Sequence, residues 1–422
     1  MTGDMESPPA DALVDAERSS ARAGVILFIA LSVANASNYL FQVVASRLLG
    51  PADYSLMGGI FAIVTVVGVS TSALQTSAAK IVAANPKRSP IRLRDDELVK
   101  RALKIAIPVA ILFAFISPLV SQFLRAGIAP SLFLALYLAP APLLSIGFGR
   151  LQGLQAFGAF AALSLGLAGG RLVVTTGVLA LGAGVTGVMA TAFLVTAVGA
   201  WVALHMSRGA AELPLAEMWK DTGRATVALV LFWVLVSIDV PIARHALSAE
   251  AAGQYTAASV IGKAVLWLPG AISLVMFPKV AQARQAGELT HPHLVRALVI
   301  TLGLCGGAVV GMWALGSSLI PMVFGETYAE GAGLAWQVGL VCIPFAVANL
   351  LIFYHLTRAS SGFIAALVVG LLLEGGALLL FHDSVQGIIF SLGAASAAIV
   401  VGLVAPGGLR RLRDLSGRAQ TA

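Results

Sequence analysis

The sequence predicts an all-α integral membrane protein of about twelve transmembrane helices in two pseudo-symmetric six-helix halves, and three observations lead there. First, 58% of the 422 residues are hydrophobic and only 11% are charged, against about 25% charged in soluble domains, so lipid must solvate this chain. Second, the apolar runs are continuous rather than alternating, and each is close to the roughly 20 residues that a helix needs to close its own backbone hydrogen bonds across a bilayer. Third, the chain repeats itself. A helix with a polar face, the turn RLLGPADY closing on Tyr54 and an apolar helix leaving at Lys80 return as a helix ending near Asp239, a turn closing on Tyr255 and a helix leaving at Lys279.

Taken in order, residues 1–23 hold five acids and two arginines with no apolar core or small-residue cleavage site, so they read as a disordered cytoplasmic tail and not a signal peptide. The first six-helix half is 24–206, with spans expected at 24–46, 55–79, 105–124, 131–149, 159–181 and 185–206. Its first helix carries Asn35, Asn38 and Gln42 at spacings that put them on one face. Its second holds Ser70, Thr71, Ser72, Gln75 and Thr76, an unusually polar stretch for a span. Helix–helix hydrogen bonding and a hydrated central cavity explain such stripes equally well. A cytoplasmic linker, 207–224, leads to the second half, 225–405, with spans expected at 225–244, 255–278, 297–319, 332–355, 362–381 and 385–405. A basic cytoplasmic tail, 406–422, ends the chain. Prolines at 108, 118, 140, 142, 241, 269, 278 and 344 should bend or break the helices that contain them.

With the N-terminus inside, 22 of the 27 Lys and Arg residues fall on the cytoplasmic side, eight of them in 80–104. Arg47, Arg125 and Arg244 alone fall outside, and Arg171 and Lys263 fall within helices. Both termini are therefore expected in the cytoplasm. The loop NPKRSPIRLRDDELVKRALK reads as a positive-inside anchor near anionic headgroups rather than a nucleic-acid site.

Cys305 and Cys342 are isolated in apolar segments, which excludes a disulfide framework or a paired-cysteine metal site. GFGRLQG lacks the spacing of a dinucleotide fingerprint, there is no Walker A sequence, and His291 and His293 are a weak metal pair. No enzymatic role and no cofactor are expected.

Four ionisable residues would be costly to bury, and such groups face a cavity or a partner: Arg171, Asp239, Lys263 and Glu374. Asp239 and Lys263 lie about one helical turn apart in depth and can pair, either as a fixed tie of the hairpin or as a site that exchanges partners. Glu374, in LLLEGG, suits a proton carrier or a packing carboxyl bonded to backbone or serine. Arg171, beside two glycines that would permit close helix approach, suits a pyrophosphate clamp or an interhelical tie. Tyr255, Ser259 and Lys263, spaced by four, make a second polar stripe.

Four stretches then resemble a known family. NYLFQVVASRLLGPADYSLMGGIFAI, IDVPIARHALSAEAAGQYTAASVIGKAVLWLPGAISLVMFPKVAQA, GRLQGLQAFGAFA and LIPMVFGETYAEGA are similar to segments of the polysaccharide and oligosaccharide flippases of the multidrug/oligosaccharidyl-lipid/polysaccharide (MOP) superfamily. The resemblance implies two six-helix lobes around a central cavity, a plan known among transporters. It implies a lipid-linked oligosaccharide on an undecaprenyl pyrophosphate carrier as substrate, moved across the bacterial inner membrane by alternating access. On that reading Arg47, Arg171 and Lys263 attract the phosphate, Asn35, Asn38, Gln42 and Tyr255 line the cavity, and Asp239 or Glu374 couples an ion. The expected partners are the lipid-linked glycan, membrane lipids and glycan polymerase or glycosyltransferase proteins, with no nucleic acid. The alternatives are a MATE-like drug/cation antiporter, a protein like the lipid II flippases, whose members have fourteen helices, and a non-transporting scaffold for glycan assembly.

Overall fold

The computed structural model describes residues 10–84, 97–208, 215–268, 291–357 and 362–419, and all regular structure among them is helical. Ten stretches among the described residues are long and apolar enough to cross a membrane. One of them, Ile29–Ala84, has 56 residues, about 84 Å if straight, against a hydrocarbon core of about 30 Å. It lies in helix α1 (Ala10–Ala84), which is broken at Gly50 (φ 73°, ψ 170°) and restarts at Pro51. Glycine takes that positive φ without strain and proline suits the first turn of the new helix, so the predicted turn RLLGPADY splits this stretch into two crossings. The expected span 255–278 is seen only to Leu268, and its remainder lies outside the described residues with Lys279, 85–96 of the basic loop and 209–214 of the linker.

Two expected tails are partly helical. Helix α1 begins at Ala10, within an alanine-rich segment of high helix propensity. The last helix, α14 (Val385–Ala419), runs on through most of 406–422.

The described chain divides into two units: residues 1–42, 74–115 and 132–219, and residues 43–73, 116–131 and 220–422. In the first, the end of α1 packs with α2 (Glu97–Phe123), α4 (Pro140–Gly153), α5 (Phe157–Ala180) and α6 (Gly184–Met206), while α3 (Ile128–Tyr137) leads into α4. Ala78, Val82, Ile146 and Leu204 form one buried cluster there, and Leu151, Leu163 and Ala203 another. Small residues let these backbones approach: a Cβ on Gly147 would run into Ala203.

In the second unit the chain continues through α7 (Leu215–Ser237), α8 (Asp239–Ala246), α9 (Ala249–Gly262) and a 3₁₀ turn at Lys263–Trp267. It resumes with α10 (His291–Leu315), α11 (Leu319–Phe324), a second 3₁₀ stretch at Glu326–Leu334, α12 (Ala335–Thr357), α13 (Gly362–Phe381) and α14. Helix α12 is the centre of this unit, packed against α9, α10 and α14. Its Phe345 meets Phe232 of α7 edge-on at 6.0 Å. Large apolar side chains face outward instead of being hidden: Phe115 and Leu379 are each 79% exposed. On a soluble protein such faces would be sites of association, and here lipid covers them.

Candidate functional site

Lys263 in the second unit and Arg171 in the first, the two cations expected within spans, are neutralised differently. In the second unit both members of the predicted Asp239–Lys263 pair sit at helix breaks. Helix α7 stops at Ser237, and α8 starts with Asp239 in its first turn, where the peptide dipoles favour a negative charge. Helix α9 stops at Gly262, and Lys263 opens the 3₁₀ turn. The Lys263 ammonium lies 2.6 Å from Oδ1 and 2.8 Å from Oδ2 of Asp239. The Tyr255 hydroxyl donates to Oδ2 at 2.5 Å. Asp239 and Tyr255 are fully buried and Lys263 retains 16% exposure.

Glu374 belongs to the same neighbourhood. It lies on the buried face of α13, the line Phe363, Leu367, Gly370, Glu374 and Leu378, with its α13–α14 interface kept tight by Gly370 against Ile399. Glu374 is fully buried, and neither carboxyl oxygen has a hydrogen-bond partner among the described residues. It feels the charges of both Asp239 and Lys263. Ser259, on the face shared by Tyr255 and Lys263, also has an enclosed hydroxyl without a partner.

In the first unit Arg171 of α5 donates from Nη2 to Oδ1 of Asn38. Its guanidinium lies over the Phe41 ring, 4.9 Å from the centroid, a cation–π contact. Its Nε is enclosed with no hydrogen-bond partner. Tyr137 is near enough to interact electrostatically, but no carboxylate pairs with Arg171 among the described residues. Gly169 and Gly170, expected to let a helix approach here, have open space where a Cβ would stand. Of the polar stripe on α1, Asn38 is engaged, Gln42 is half-buried and Asn35 is exposed.

Arg47 joins neither group. It lies in the second unit and donates from Nη2 to the carbonyl of Met322 at 3.0 Å and from Nε to that of Val323 at 3.3 Å. Arg47, Arg171 and Lys263, each expected to attract the phosphate, thus have different partners: helix-end carbonyls, Asn38 with Phe41, and Asp239. Arg150, 2% exposed, was not singled out from the sequence, and nor was Gln254, which donates to the Thr327 carbonyl at 2.8 Å and accepts from the Gly331 amide at 2.9 Å. The only signal for Gln254 is an amide side chain in an apolar helix beside Tyr255.

No protein-family model matches the chain, and no curated protein matches it. Solved structures do. The lipid II flippase MurJ in an inward closed conformation superposes with a TM-score of 0.71 at 12% identity, over 91% of this chain and 87% of that one. An inward-facing multidrug resistance MATE family transporter of the MOP superfamily gives 0.71 at 15% identity, over 94% and 99%. A MOP superfamily transporter from Pyrococcus furiosus, described as having a binding pocket of reverse polarity that suggests a different function, gives 0.60 at 17% identity, over 94% and 96%. With both chains covered almost end to end, this protein has the all-α, multi-pass membrane fold of the MOP/MATE transporters, twelve helices in two lobes.

Proposed function

We propose that the protein is a flippase that moves a lipid-linked oligosaccharide or polysaccharide precursor, of the undecaprenyl pyrophosphate type, across the bacterial inner membrane by alternating access. The fold supports transport rather than catalysis, since the structures it resembles are transporters. One observation carries the choice of an anionic substrate: Arg171 is a permanently charged group in a membrane helix whose contacts are an amide oxygen and an aromatic face, with the Tyr137 phenol near enough to act electrostatically. An enclosed guanidinium with a spare N–H and no acid paired with it among the described residues is short of an anion, and phosphate matches its donor fork. Asn38 holds one edge of that fork, with Asn35 and Gln42 of the same helix near enough in register to meet sugar hydroxyls.

Lys263 is held by Asp239 and Tyr255, so it serves the second unit's charge balance and meets phosphate only if that pair opens. Glu374 and Asp239 are the groups that couple an ion. The lobes are 24–206 and 225–405, and the distribution of Lys and Arg puts both termini in the cytoplasm. Membrane lipids and glycan polymerase or glycosyltransferase proteins are its partners.

The test is flipping of a fluorescent lipid pyrophosphate carrying a short glycan in proteoliposomes, comparing the native protein with Arg171→Met and Glu374→Gln. Flipping that is lost in Arg171→Met supports the anion site, and loss of its dependence on an imposed ion gradient in Glu374→Gln supports the coupling role. The partnerless carboxyl of Glu374 favours one other reading, a MATE-like cation antiporter. Efflux of organic cations that requires Glu374, with no movement of any lipid pyrophosphate, would establish that instead.

A further inference from the structure

The three arginines that the Lys and Arg count leaves on the outer side share one chemistry that substrate binding does not use. Each donates to backbone carbonyls at or just beyond the C-terminal end of a helix from the other half of the chain, and all of these contacts lie within the second unit. Arg244, at the end of α8, donates from Nε to the carbonyl of Leu124 at 2.9 Å and from Nη2 to that of Arg125 at 3.2 Å, both just past α2. Its Nη1 reaches the Ala52 carbonyl at 3.0 Å and the Ser55 hydroxyl at 2.9 Å. Arg125 in turn donates to the Leu247 carbonyl, just past α8, at 3.3 Å. Arg47 takes the last carbonyls of α11 through Met322 and Val323. Tyr328 completes the exchange by donating to the Ser46 carbonyl, one turn before the break at Gly50, at 3.0 Å.

Helix C-termini leave carbonyls without intrahelical partners and carry partial negative charge. First-half arginines therefore cap second-half helices, and second-half Arg244 and Tyr328 cap first-half ones. Behind the polar contacts the seam is closely packed. The Tyr54 ring sits 5.8 Å from Phe324 and 5.7 Å from Tyr328, Gly253 lies against the Pro51 carbonyl, and Gly58 lies against Thr256. One turn further along the helix the seam parts into a mostly apolar cleft lined by Ala62, Ile63 and Val66 and by Val234, Ser237, Ile238 and Pro241.

We infer that Arg47, Arg125, Arg244 and Tyr328 are a latch that seals the outer end of the transport path, beneath which the cleft at Ala62 begins. This rests on the transporter reading, though not on the choice of substrate. The latch suits a cycle because its acceptors are helix-end carbonyls at the outer face, which water can take over when the two sides separate. Asp53 biases Arg244 electrostatically but forms no ion pair with it among the described residues, so the closed state rests on arginine–carbonyl geometry.

The experiment places a cysteine at Ala62 and measures its labelling by a membrane-impermeant maleimide, from outside in intact cells and from the cytoplasmic side in inverted vesicles. The two native cysteines are buried, and each latch variant without the new cysteine serves as its own blank. With the latch intact, Ala62→Cys should be labelled from the cytoplasmic side and not from outside. Adding Arg244→Ala should raise outside labelling roughly tenfold, the shift expected when bonds from one charged group are removed from a two-state closure. Arg47→Ala and Tyr328→Phe should raise it by less. If Arg244→Ala does not reach the membrane, the other two variants decide. Outside labelling of Ala62→Cys with every latch residue present, or unchanged labelling in all variants that reach the membrane in normal amount, overturns the latch. Because labelling needs no substrate, a rise in labelling without any lipid pyrophosphate flipping would reject the substrate and leave the latch standing.

Discussion

The two cations that the sequence places within spans, Lys263 in the second unit and Arg171 in the first, stand in opposite environments. Lys263 touches both oxygens of a buried carboxylate that also accepts from a tyrosine. Arg171 rests on an amide and a ring, with one N–H enclosed and unused among the described residues. A charge already balanced within the protein contributes to holding the fold, whereas one that is not balanced has capacity left for a ligand. The pair also shows why burial alone does not identify a site, since both residues looked equally expensive on hydropathy.

The largest effect expected from breaking this contrast is at Asp239. Asp239→Ala strands the Lys263 ammonium in a buried pocket, and loss of one partner of such a pair costs about 3–5 kcal/mol. The apparent Tm in detergent should fall steeply. Adding Lys263→Met, which keeps much of the volume and removes the charge, should recover most of the loss. A double variant no more stable than Asp239→Ala would mean that the pair is not a closed unit and that Asp239 serves another cation.

A smaller effect separates the tyrosine from the ion pair. Tyr255→Phe removes one charge-assisted hydrogen bond to a carboxylate that keeps its lysine, a change worth about 1.5–3 kcal/mol at most. The Tm should drop by less than in Asp239→Ala, and the effect should shrink in the background that lacks Asp239. An equal drop in both backgrounds would show that the hydroxyl acts through some other contact.

Much of this contrast was legible in the sequence, and the illegible part has a physical cause. Charged residues in apolar runs are rare enough to be noticed singly, so Arg171, Asp239, Lys263 and Glu374 all stood out. The Asp239–Lys263 pair followed from helical rise alone. The Arg171–Asn38 contact joins two residues already marked as candidates, but nothing in a sequence fixes which helix faces α5. The roles of Arg47, Arg125 and Arg244 were hidden for a stricter reason: their acceptors are carbonyls, which every residue carries, and only the folded chain selects which helix end each arginine meets. The break before Asp239 was marked by Pro241, but the one at Lys263 was not, because SVIGKAV continues an apolar pattern where the turn at Gly50 announces itself with Gly-Pro.

The smallest expected change in stability, and the most informative, is at Arg171. Methionine fills similar length with no charge, so Arg171→Met exchanges an unbalanced cation for an apolar chain beside Phe41 and loses the bond to Asn38 and the cation–π contact. The hydrogen bond forgone and the desolvation relieved are opposed, so the net change should stay within about 1 kcal/mol of zero. Transport of an anionic lipid should nevertheless fall by about tenfold or more, because a charge-assisted phosphate contact is worth at least one such factor. Measuring Tm and flipping on the same preparation tests the two statements together. A large loss of stability with flipping intact would make Arg171 a tie between helices, like Lys263. Unchanged stability with flipping lost would leave the neutral cradle around Arg171 as the place where the substrate supplies the missing charge.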